Sequence, residues 1–462
     1  MVNYFNFKQF SPEHLLITND FGAYSFVTRK EMRQMMNGSL DRDTDLYDEL
    51  RENGFLLSDD MEELARETMV RYRGAKSYLF SATALHIFVL TNACNLNCVY
   101  CQAREHDKVL PHKMSMETAE RSVDVALQSP ERMLNFEFQG GEPLMNFEVL
   151  KHIVEYAESN KGSHEITYSV VTNLTLLTDD IMAFFKEHDV RVSTSLDGPI
   201  CVHDANRSNR AGEGSYEKVI AAINRLKEYG IPVGAIQTTT RKSLGFAKDI
   251  VDTYYQLGFD SIFIRPLTKL GTAIPNWDEI GYTAEEFLKF YSECIEYILE
   301  INKNGGNMVE GHATIFLAKI LRGSGQNYME LRSPCGAAVG QMAYYFTGDV
   351  YTCDEGRMLA EMGDSAFRLG NVFDNTYEDL VASPVCKTVC LSSTLECLPE
   401  CAECVYQPYC GTCPALNYAS QHNVFKRDAR GYRCMVYKGM LDTIFAILYR
   451  NDPVEIEIIK NW

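Results

Sequence analysis

The sequence predicts an α/β protein built on a partial barrel of six βα units, with a small α+β unit before it and a cysteine-rich region after it. Three observations predict this organisation. Apolar runs rich in β-forming residues alternate with helical stretches between residues 84 and 300, a pattern typical of parallel sheets. Three cysteines directly follow the first of these runs. Ten of the 15 cysteines lie between residues 335 and 434, where the chain otherwise looks irregular.

Length, charge and composition set the outer limits. A chain of 462 residues exceeds the usual size of one hydrophobic core, so we expect roughly two to four domains. The net charge of −19 argues against a nucleic-acid partner, because such affinity depends on Lys and Arg contacts. The longest apolar runs, 85–90 and 444–448, are too short to span a bilayer, and no signal peptide is apparent. We therefore expect a cytoplasmic protein without a membrane partner, whose cysteines serve metal or redox chemistry.

Residues 1–80 are predicted to form the small α+β unit. Residues 14–28 indicate two short strands around a turn, and 29–38 and 44–55 have helical compositions that stop near Asn-Gly. A strand pair followed by short helices resembles the leader-binding element of peptide-modifying systems. A plain N-terminal extension that packs on the main domain explains the pattern equally well.

The core, residues 84–300, is predicted to alternate six strands with five helices. The strands are 85–90, 135–139, 167–171, 190–196, 232–238 and 261–267. The helices are 115–128, 147–159, 178–188, 215–229 and 244–257. Six units fall short of a closed barrel, and ligands of such folds bind at the C-terminal ends of the strands. Residues 301–334 are predicted to link the core to the C-terminal region, 335–462, which ends in an amphipathic helix at 437–450.

The stretch TNACNLNCVYC places Cys94, Cys98 and Cys101 on the loop after the first strand. Structural zinc sites need four closed ligands, usually in CxxC pairs. A [4Fe–4S] cluster is also held by thiolates, and three of them leave one iron open. The spacing therefore favours a cluster whose open iron binds a substrate or cofactor, with part of a zinc site as the alternative.

These residues carry a resemblance to the radical S-adenosylmethionine (SAM) superfamily. CxxxCxxC follows the first strand with Tyr100 before its last cysteine, and FQGGEP (138–143) ends the next strand. The resemblance implies that Cys94, Cys98 and Cys101 ligate a [4Fe–4S] cluster whose open iron chelates SAM. It also implies that reductive cleavage of SAM yields a 5′-deoxyadenosyl radical, which abstracts a substrate hydrogen.

The same resemblance places SAM-binding residues at successive strand ends. The Gly-Gly-Glu element is expected at the methionine amino group, because glycines permit close approach and a carboxylate accepts from an ammonium. STSLDGPICVHDANR (193–207) is expected at the ribose and the methionine carboxylate, and VVTN (170–173) offers a further strand end. The implied SAM-binding residues are Gly140, Gly141, Glu142, Pro143, Thr172, Asn173, Ser195, Asp197 and Arg207.

The C-terminal cysteines resemble the SPASM domain, which carries two auxiliary [4Fe–4S] clusters. The resemblance assigns the outer cluster to Cys401, Cys404, Cys410 and Cys434, and the inner one to Cys335, Cys353 and Cys413. Two residues precede Cys413 where the family usually has three. The fourth inner ligand is expected to be Cys397 or an open site, with Cys386 and Cys390 as weaker candidates. A treble-clef zinc module is the alternative. Cys201 and Cys294 look like buried small hydrophobes.

Taken together, the resemblance implies a maturase that oxidatively modifies a ribosomally made precursor peptide bearing a leader. The product is expected to be a C–C, C–N or thioether crosslink, and residues 397–425 resemble maturases of the His-Xaa-Ser peptide system. The cofactors are then SAM and three [4Fe–4S] clusters, with an external electron donor such as flavodoxin or ferredoxin. By the same resemblance Asp354, next to Cys353, is the candidate general base. The alternatives are sulfatase-type formylglycine formation and, in another class, a zinc-stabilised interaction protein.

Overall fold

Two sheets organise the molecule. The computed structural model describes residues 1–103, 112–323, 331–425 and 428–462. A ten-stranded sheet runs through the core and the C-terminal region, and a separate three-stranded sheet forms the N-terminal unit. Within the described residues, no helix combines the length and the hydropathy that a bilayer crossing requires.

The N-terminal unit is an antiparallel meander followed by three helices. Its strands are β1 (Asn6–Gln9), β2 (His14–Thr18) and β3 (Tyr24–Thr28). Its helices are α1 (Arg29–Met36), α2 (Asp45–Glu52) and α3 (Met61–Ala75). The predicted strand pair and first two helices are confirmed, whereas β1 and α3 were not predicted. α1 begins where predicted because Thr28 and Glu31 form a reciprocal capping box.

The core consists of parallel strands that pair in chain order. They are β4 (Leu85–Val89), β5 (Met133–Gln139), β6 (Glu165–Val171), β7 (Arg191–Ser195), β8 (Val233–Thr238), β9 (Ser261–Arg265) and the two-residue β10 (Val309–Glu310). All six predicted strands are confirmed, so the predicted partial (β/α)6 arrangement is correct. Along β5, Phe136 and Phe138 are fully buried while the alternate residues Glu137 and Gln139 line the interior.

Helices cover the outside of these strands. They are α4 (Met116–Ala126), α5 (Phe147–Asn160), α6 (Asp179–Glu187), α7 (Ile200–Asn206), α8 (Tyr216–Glu228), α9 (Ala247–Gln256), α10 (Ala273–Ile280), α11 (Ala284–Lys303) and α12 (Gly311–Arg322). The five predicted helices correspond to α4, α5, α6, α8 and α9. α12 lies inside residues 301–334, the expected linker. It packs against β9 through buried side chains such as Phe316 and Leu317, so this segment belongs to the packed structure. Residues 324–330 of the expected linker lie outside the described residues.

The C-terminal region extends the same sheet instead of remaining irregular. Its strands are β11 (Gln341–Tyr344), β12 (Asp349–Tyr351) and β13 (Arg368–Asn371). Its helices are α13 (Asp354–Glu361), α14 (Tyr377–Val381), α15 (Pro384–Ser392), α16 (Pro414–Gln421), α17 (Tyr432–Arg450) and α18 (Pro453–Lys460). β11 pairs in parallel with β4, and β12 and β13 follow antiparallel. These strands have three or four residues each, too few for the period-2 pattern that identifies a strand.

Short 3₁₀ helices complete the described structure. They span Ser77–Phe80, Pro143–Asn146, Arg241–Gly245, Leu395–Cys397 and Gln407–Tyr409.

The N-terminal unit docks on the C-terminal region. The Lys8 ammonium lies 2.7 Å from the Asp442 carboxylate on α17 and donates to the Tyr406 hydroxyl at 2.8 Å. The Thr18 hydroxyl donates to the Val405 carbonyl at 2.6 Å. The unit therefore sits beside the 401–410 cysteine segment.

Candidate active site

One cavity of about 760 Å³ lies at the C-terminal ends of the core strands. Two groups of side chains line it. The N-terminal cysteine wall comprises Cys94, Cys98, Cys101, Gly140, Gly141, Thr172, Asn173, Ser195 and Arg207. The C-terminal cysteine wall comprises Cys335, Cys353, Asp354, Arg357 and Cys413. Cysteines separated by more than 200 residues therefore face the same space because β11 joins the sheet at β4.

The two glycines after β5 hold the first cysteine loop against that strand. An added Cβ would lie 2.3 Å from the Thr91 carbonyl oxygen at Gly140, where φ is +149°, and 2.2 Å from the Ala93 oxygen at Gly141. The absence of side chains lets the Gly141 N–H donate to Thr91 at 2.7 Å and the Glu142 N–H donate to Ala93 at 2.8 Å. The close approach expected at these glycines is thus an approach to the cysteine loop as well as to the cavity.

Glu142 is a buried acceptor that ties three segments together. Its carboxylate accepts from the Thr172 hydroxyl at 2.6 Å, from the Asn173 N–H at 2.8 Å and from the Leu144 N–H at 3.1 Å. Burial raises its pKa to about 7, against the lowering effect of these hydrogen bonds. Neither Glu142 nor Pro143 is among the residues that line the cavity, and their predicted part in binding SAM stays a prediction.

Asp197 is the corresponding hub behind the next strand end, and it is fully buried. Its Oδ2 accepts from the Tyr100 hydroxyl at 2.6 Å, from Asn206 Nδ2 at 3.0 Å and from Arg207 Nε at 3.1 Å. Its Oδ1 accepts from the Thr238 N–H at 3.2 Å. Asp197 does not line the cavity, whereas Arg207, which it orients, does. In this structure Asp197 orients Arg207 from behind the cavity wall, and its predicted contact with SAM stays a prediction.

Arg207 brings positive charge to the first cysteine loop. Its guanidinium lies 5.1 Å from the Tyr100 ring centre, and Nη1 lies 3.8 Å from Cys98 Sγ. Burial is the largest influence and lowers the pKa of Arg207, but Asp197, Tyr100 and Cys98 together outweigh it and hold that pKa above the usual range. A charged guanidinium beside a thiol favours the thiolate, which is the form that ligates metal.

The three thiols of the first loop fit a polynuclear cluster. Burial raises the pKa of Cys94 to about 12 and that of Cys98 to about 11, with Arg207 opposing the shift at Cys98. The described part of the chain contains no three His, Cys, Asp or Glu side chains grouped as one metal ion requires. A [4Fe–4S] cluster distributes its thiolates over separate irons. Cys94, Cys98 and Cys101 line one cavity, so they supply three thiolates for such a cluster, and the cationic Arg207 beside Cys98 suits its negative charge.

The C-terminal wall brings three predicted ligands together. Cys335, Cys353 and Cys413 are each at most 4% exposed and belong to one cluster of buried side chains. Burial raises the pKa of Cys353 well above its usual value. The Gly356 N–H donates to Cys353 Sγ at 3.3 Å, which fixes this thiol at the start of α13.

Asp354 opens α13 and lies within a chain of polar side chains. Its carboxylate forms an ion pair with the buried Arg357. Arg357 Nη2 also donates to Gln139 Oε1 at 3.3 Å, and Gln139 Nε2 donates to Glu137 Oε1 at 2.6 Å. Sequence reasoning missed Glu137, Gln139 and Arg357. Glu137 and Gln139 could have been found from the alternation in MLNFEFQ, which puts these polar residues on one face of β5 and apolar residues on the other.

The outer predicted ligands lie outside this cavity. Cys410 and Cys434 line a second cavity of about 690 Å³, and Cys404 interacts electrostatically with both. Cys401 packs in a small buried cluster with which Cys410 is in contact. The structure thus gathers the four cysteines assigned to the outer cluster.

Two of the remaining cysteines are exposed where the sequence predicted a ligand or a buried side chain. Cys397, expected as an inner ligand, is exposed on its 3₁₀ turn. Cys294 is buried as expected, but Cys201 is exposed. It lies on α7, a short helix whose buried residues include Val202 and Asn206.

The sequence is similar to a protein family and to several known proteins. Residues 88–243 match the model of the radical SAM superfamily. An uncharacterized protein of Methanocaldococcus jannaschii is 33% identical over 199 residues, which cover 42% of this chain and 68% of that protein. A serine-type anaerobic sulfatase-maturating enzyme of Bacteroides thetaiotaomicron is 26% identical over 391 residues, 79% of this chain and 90% of that enzyme.

A solved structure shares the fold. The crystal structure of Streptococcus suis SuiB bound to precursor peptide SuiA superposes with a TM-score of 0.55 at 14% identity, covering 92% of this chain and 98% of that one. The chain belongs to the radical SAM superfamily, whose enzymes use SAM and a [4Fe–4S] cluster for radical chemistry. Within that superfamily it resembles the maturases.

Proposed function

We propose that this chain is a maturase that oxidatively modifies a ribosomally synthesised precursor peptide by forming a C–C, C–N or thioether crosslink. The observation that carries the proposal is the single cavity faced by both cysteine walls. Such an oxidation removes a hydrogen atom, then an electron and a proton, from one substrate. A cavity lined by two groups of cysteines that could hold redox clusters suits this order of steps. The similarity to SuiB, solved with its precursor peptide, supports a peptide substrate.

On the N-terminal wall, Cys94, Cys98 and Cys101 would ligate the cluster that binds SAM. When bound, SAM and this cluster supply a 5′-deoxyadenosyl radical that abstracts a substrate hydrogen. The chain's own contribution is to hold and orient SAM. The residues proposed to contact it are Gly140, Gly141, Thr172, Asn173, Ser195 and Arg207, with Glu142, Pro143 and Asp197 as their supports.

On the C-terminal wall, Asp354 is proposed as the general base. A base must lie within hydrogen-bond reach of the proton that it accepts, and Asp354 lines the cavity. Its ion pair with Arg357 keeps the carboxylate oriented at the start of α13. As the new bond forms, Asp354 would accept the proton that the substrate radical loses, and the auxiliary cluster proposed on Cys335, Cys353 and Cys413 would accept the electron.

The C-terminal cysteines would hold two auxiliary [4Fe–4S] clusters. Cys335, Cys353 and Cys413 face the cavity, whereas Cys401, Cys404, Cys410 and Cys434 lie nearer the outside. An external donor such as flavodoxin or ferredoxin would supply electrons. The test against a zinc-stabilised interaction protein is visible absorption with iron analysis of anaerobically purified protein. A colourless protein with zinc and no iron would exclude the proposal.

The N-terminal unit is proposed to bind the leader of the peptide. β1 is an edge strand of its sheet, and Phe7 on it is 55% exposed. An extended peptide can add to such an edge and place apolar side chains on it. Phe7→Asp should weaken binding of the precursor while SAM cleavage continues without it. The matched control is Val454→Asp, which places the same charge on an equally exposed residue of α18. Equal peptide affinity in both variants would leave the unit with a packing role.

The product distinguishes the crosslink from formylglycine, which the sulfatase-maturating relative favours. The chain is co-expressed with short peptides encoded in neighbouring reading frames, and the products are fragmented in a mass spectrometer. A crosslink and an oxidised serine each remove two hydrogens, so mass alone does not separate them. A crosslink suppresses fragmentation between two residues, whereas formylglycine forms an oxime with hydroxylamine. Oxime formation at one residue would reject the crosslink.

A further inference from the structure

The inner auxiliary cluster assigned above has three cysteine ligands, and the structure bears on the fourth. Cys397 is exposed, which is unfavourable for a ligand of a cluster that is otherwise buried. α15, by contrast, contributes Val389 to the same buried cluster as Cys335, Cys353 and Cys413. Residues three and four apart on a helix share a face, so Val389 marks the face that also carries Cys386 and lies next to Cys390.

The end of α15 is attached directly to the Cys335 loop. The Cys335 N–H donates to Ser393 Oγ at 2.9 Å. The Ser393 hydroxyl in turn lies 2.6 Å from the Val389 carbonyl oxygen and 3.3 Å from that of Cys390. Ser393 is fully buried. The last turn of α15 is therefore hydrogen-bonded to the Cys335 backbone through Ser393.

A buried cation, Arg332, lies next to the Cys335 loop, where its Nε donates to the Pro334 carbonyl at 3.0 Å. Arg332 is 3% exposed and lies 4.2 Å from the Tyr78 ring centre. Its guanidinium interacts electrostatically with both Cys335 and Cys390. A fourth thiolate would add negative charge among mostly apolar side chains, and buried charge requires a partner. Arg332 is positioned to be that partner.

We propose that Cys390 is the fourth ligand of the inner auxiliary cluster. The inference rests on the proposed function, because it requires that cluster. Cys390 would lose its thiol proton to solvent as the sulfur–iron bond forms, and no electron is transferred. Cys386, which forms a hydrogen bond with Cys390, would support the ligand without binding iron.

The experiment uses the full chain with Cys94, Cys98 and Cys101 replaced by Ala, so that only auxiliary clusters contribute. Cys390→Ala is compared in this background with Cys386→Ala and Cys397→Ala. Iron per chain is measured, and the electron paramagnetic resonance spectrum of the reduced protein is recorded with and without cyanide. Cys390→Ala should either lose about half of the remaining iron or expose one iron, which changes the spectrum when cyanide is added. The other two variants should match the parent.

Each other result has a defined meaning. A Cys390→Ala protein with the parent's iron content, spectrum and indifference to cyanide would overturn the proposal. So would a cyanide response that is already present in the parent. Cys390→Ser separates ligation from misfolding, because an oxygen ligand changes the spectrum while the side chain keeps nearly the same size. An unchanged serine spectrum in a protein with normal circular dichroism would also overturn it. A background protein without iron would refute the auxiliary clusters themselves, which is a failure of the proposed function.

Discussion

The two cysteine walls face one cavity but differ in how their polar side chains are satisfied. Behind the N-terminal wall, Asp197 accepts four hydrogen bonds and Glu142 accepts three. At the C-terminal wall, Arg357 is 1% exposed, and its Nε and Nη1 have no hydrogen-bond partner within the described part of the chain.

The N-terminal cysteine wall is therefore preorganised by its own hydrogen bonds, whereas the C-terminal cysteine wall retains unused N–H donors on Arg357. An unsatisfied buried polar group costs about 1–3 kcal/mol. The hydrogen bonds to Asp197 and Glu142 hold the first loop in place within the protein itself. The spare N–H groups of Arg357 can bond to a carbonyl or carboxylate of a bound group. We interpret the first wall as the cofactor side and the second as the substrate side.

The largest effect is expected when the three thiols of the N-terminal cysteine wall are removed. Replacing Cys94, Cys98 and Cys101 by Ala should abolish 5′-deoxyadenosine formation and remove about one-third of the iron, because the two proposed auxiliary clusters would remain. Liquid chromatography of SAM products and iron analysis provide the measurements. Cys201→Ala, at an exposed cysteine outside the cavity, is the control and should behave like wild type. SAM cleavage by the triple variant would contradict the interpretation of the N-terminal cysteine wall as the cofactor side.

The next effect tests the substrate side. Asp354→Asn keeps the side chain's shape but removes the base, so crosslinked product should fall about 100-fold or more. SAM cleavage and substrate deuterium incorporation into 5′-deoxyadenosine should continue, because the first wall is intact. Asp374→Asn, at an exposed site, controls for loss of charge. Product formation at the wild-type rate in Asp354→Asn would assign Asp354 to structure alone.

A third, smaller effect tests the saturated hub. Asp197→Asn substitutes a donor for an acceptor among four donors, which should destabilise the protein by about 3–5 kcal/mol. The measurement is the thermal midpoint of cluster-loaded protein under anaerobic conditions. Asp179→Asn breaks an ion pair with Arg225 in which the carboxylate is 88% exposed, so it should cost no more than about 1 kcal/mol. Equal shifts would show that burial of the Asp197 network contributes little.

Sequence predicted the core better than the C-terminal region for a physical reason. Strands β4 to β9 are apolar runs bounded by turns, and their order follows from short crossovers. β11 pairs with β4 across more than 200 residues, a contact that no local pattern indicates. The cysteines proposed as ligands could be picked out from the sequence because their spacing is local. The role of Arg357 was not, because it depends on β5 and α13 meeting across the cavity.

Individual residues at the strand ends also show that local sequence patterns do not predict contacts between distant segments. Sequence placed Glu142 and Asp197 at the ends of strands, and both lie there. It could not show that their carboxylates are occupied by neighbouring donors such as Thr172 and Tyr100. Position along a strand is a local property, whereas the choice between contacting a ligand and supporting a neighbour is set by packing.

The smallest expected effect concerns how Glu142 acts on SAM. Its carboxylate has about four acceptor sites, and three donors already bond to it. One direct bond to the SAM ammonium, or an indirect effect through Asn173, remains open to it. A charge-assisted hydrogen bond is worth about 1.5–3 kcal/mol, so Glu142→Gln should weaken SAM binding by about tenfold to a hundredfold at alkaline pH.

The pH dependence gives the sign of that effect. Burial raises the pKa of Glu142 to about 7, so the carboxylate gains its charge as the pH rises through that value. SAM affinity of the wild type should therefore rise, relative to Glu142→Gln, between about pH 6 and about pH 8. The contribution to folding stability has the opposite sign and falls as the pH rises from the ordinary Glu pKa to the raised one.

Calorimetric titration of cluster-loaded protein at several pH values measures the affinity. Titration of free SAM contributes equally to both curves, so their difference reports the Glu142 carboxylate and its effect on the bound amino group. Glu165→Gln, at an exposed pair with Arg132, should follow the wild type. Parallel curves for wild type and Glu142→Gln would mean that Glu142 holds the loops and has no electrostatic part in binding SAM.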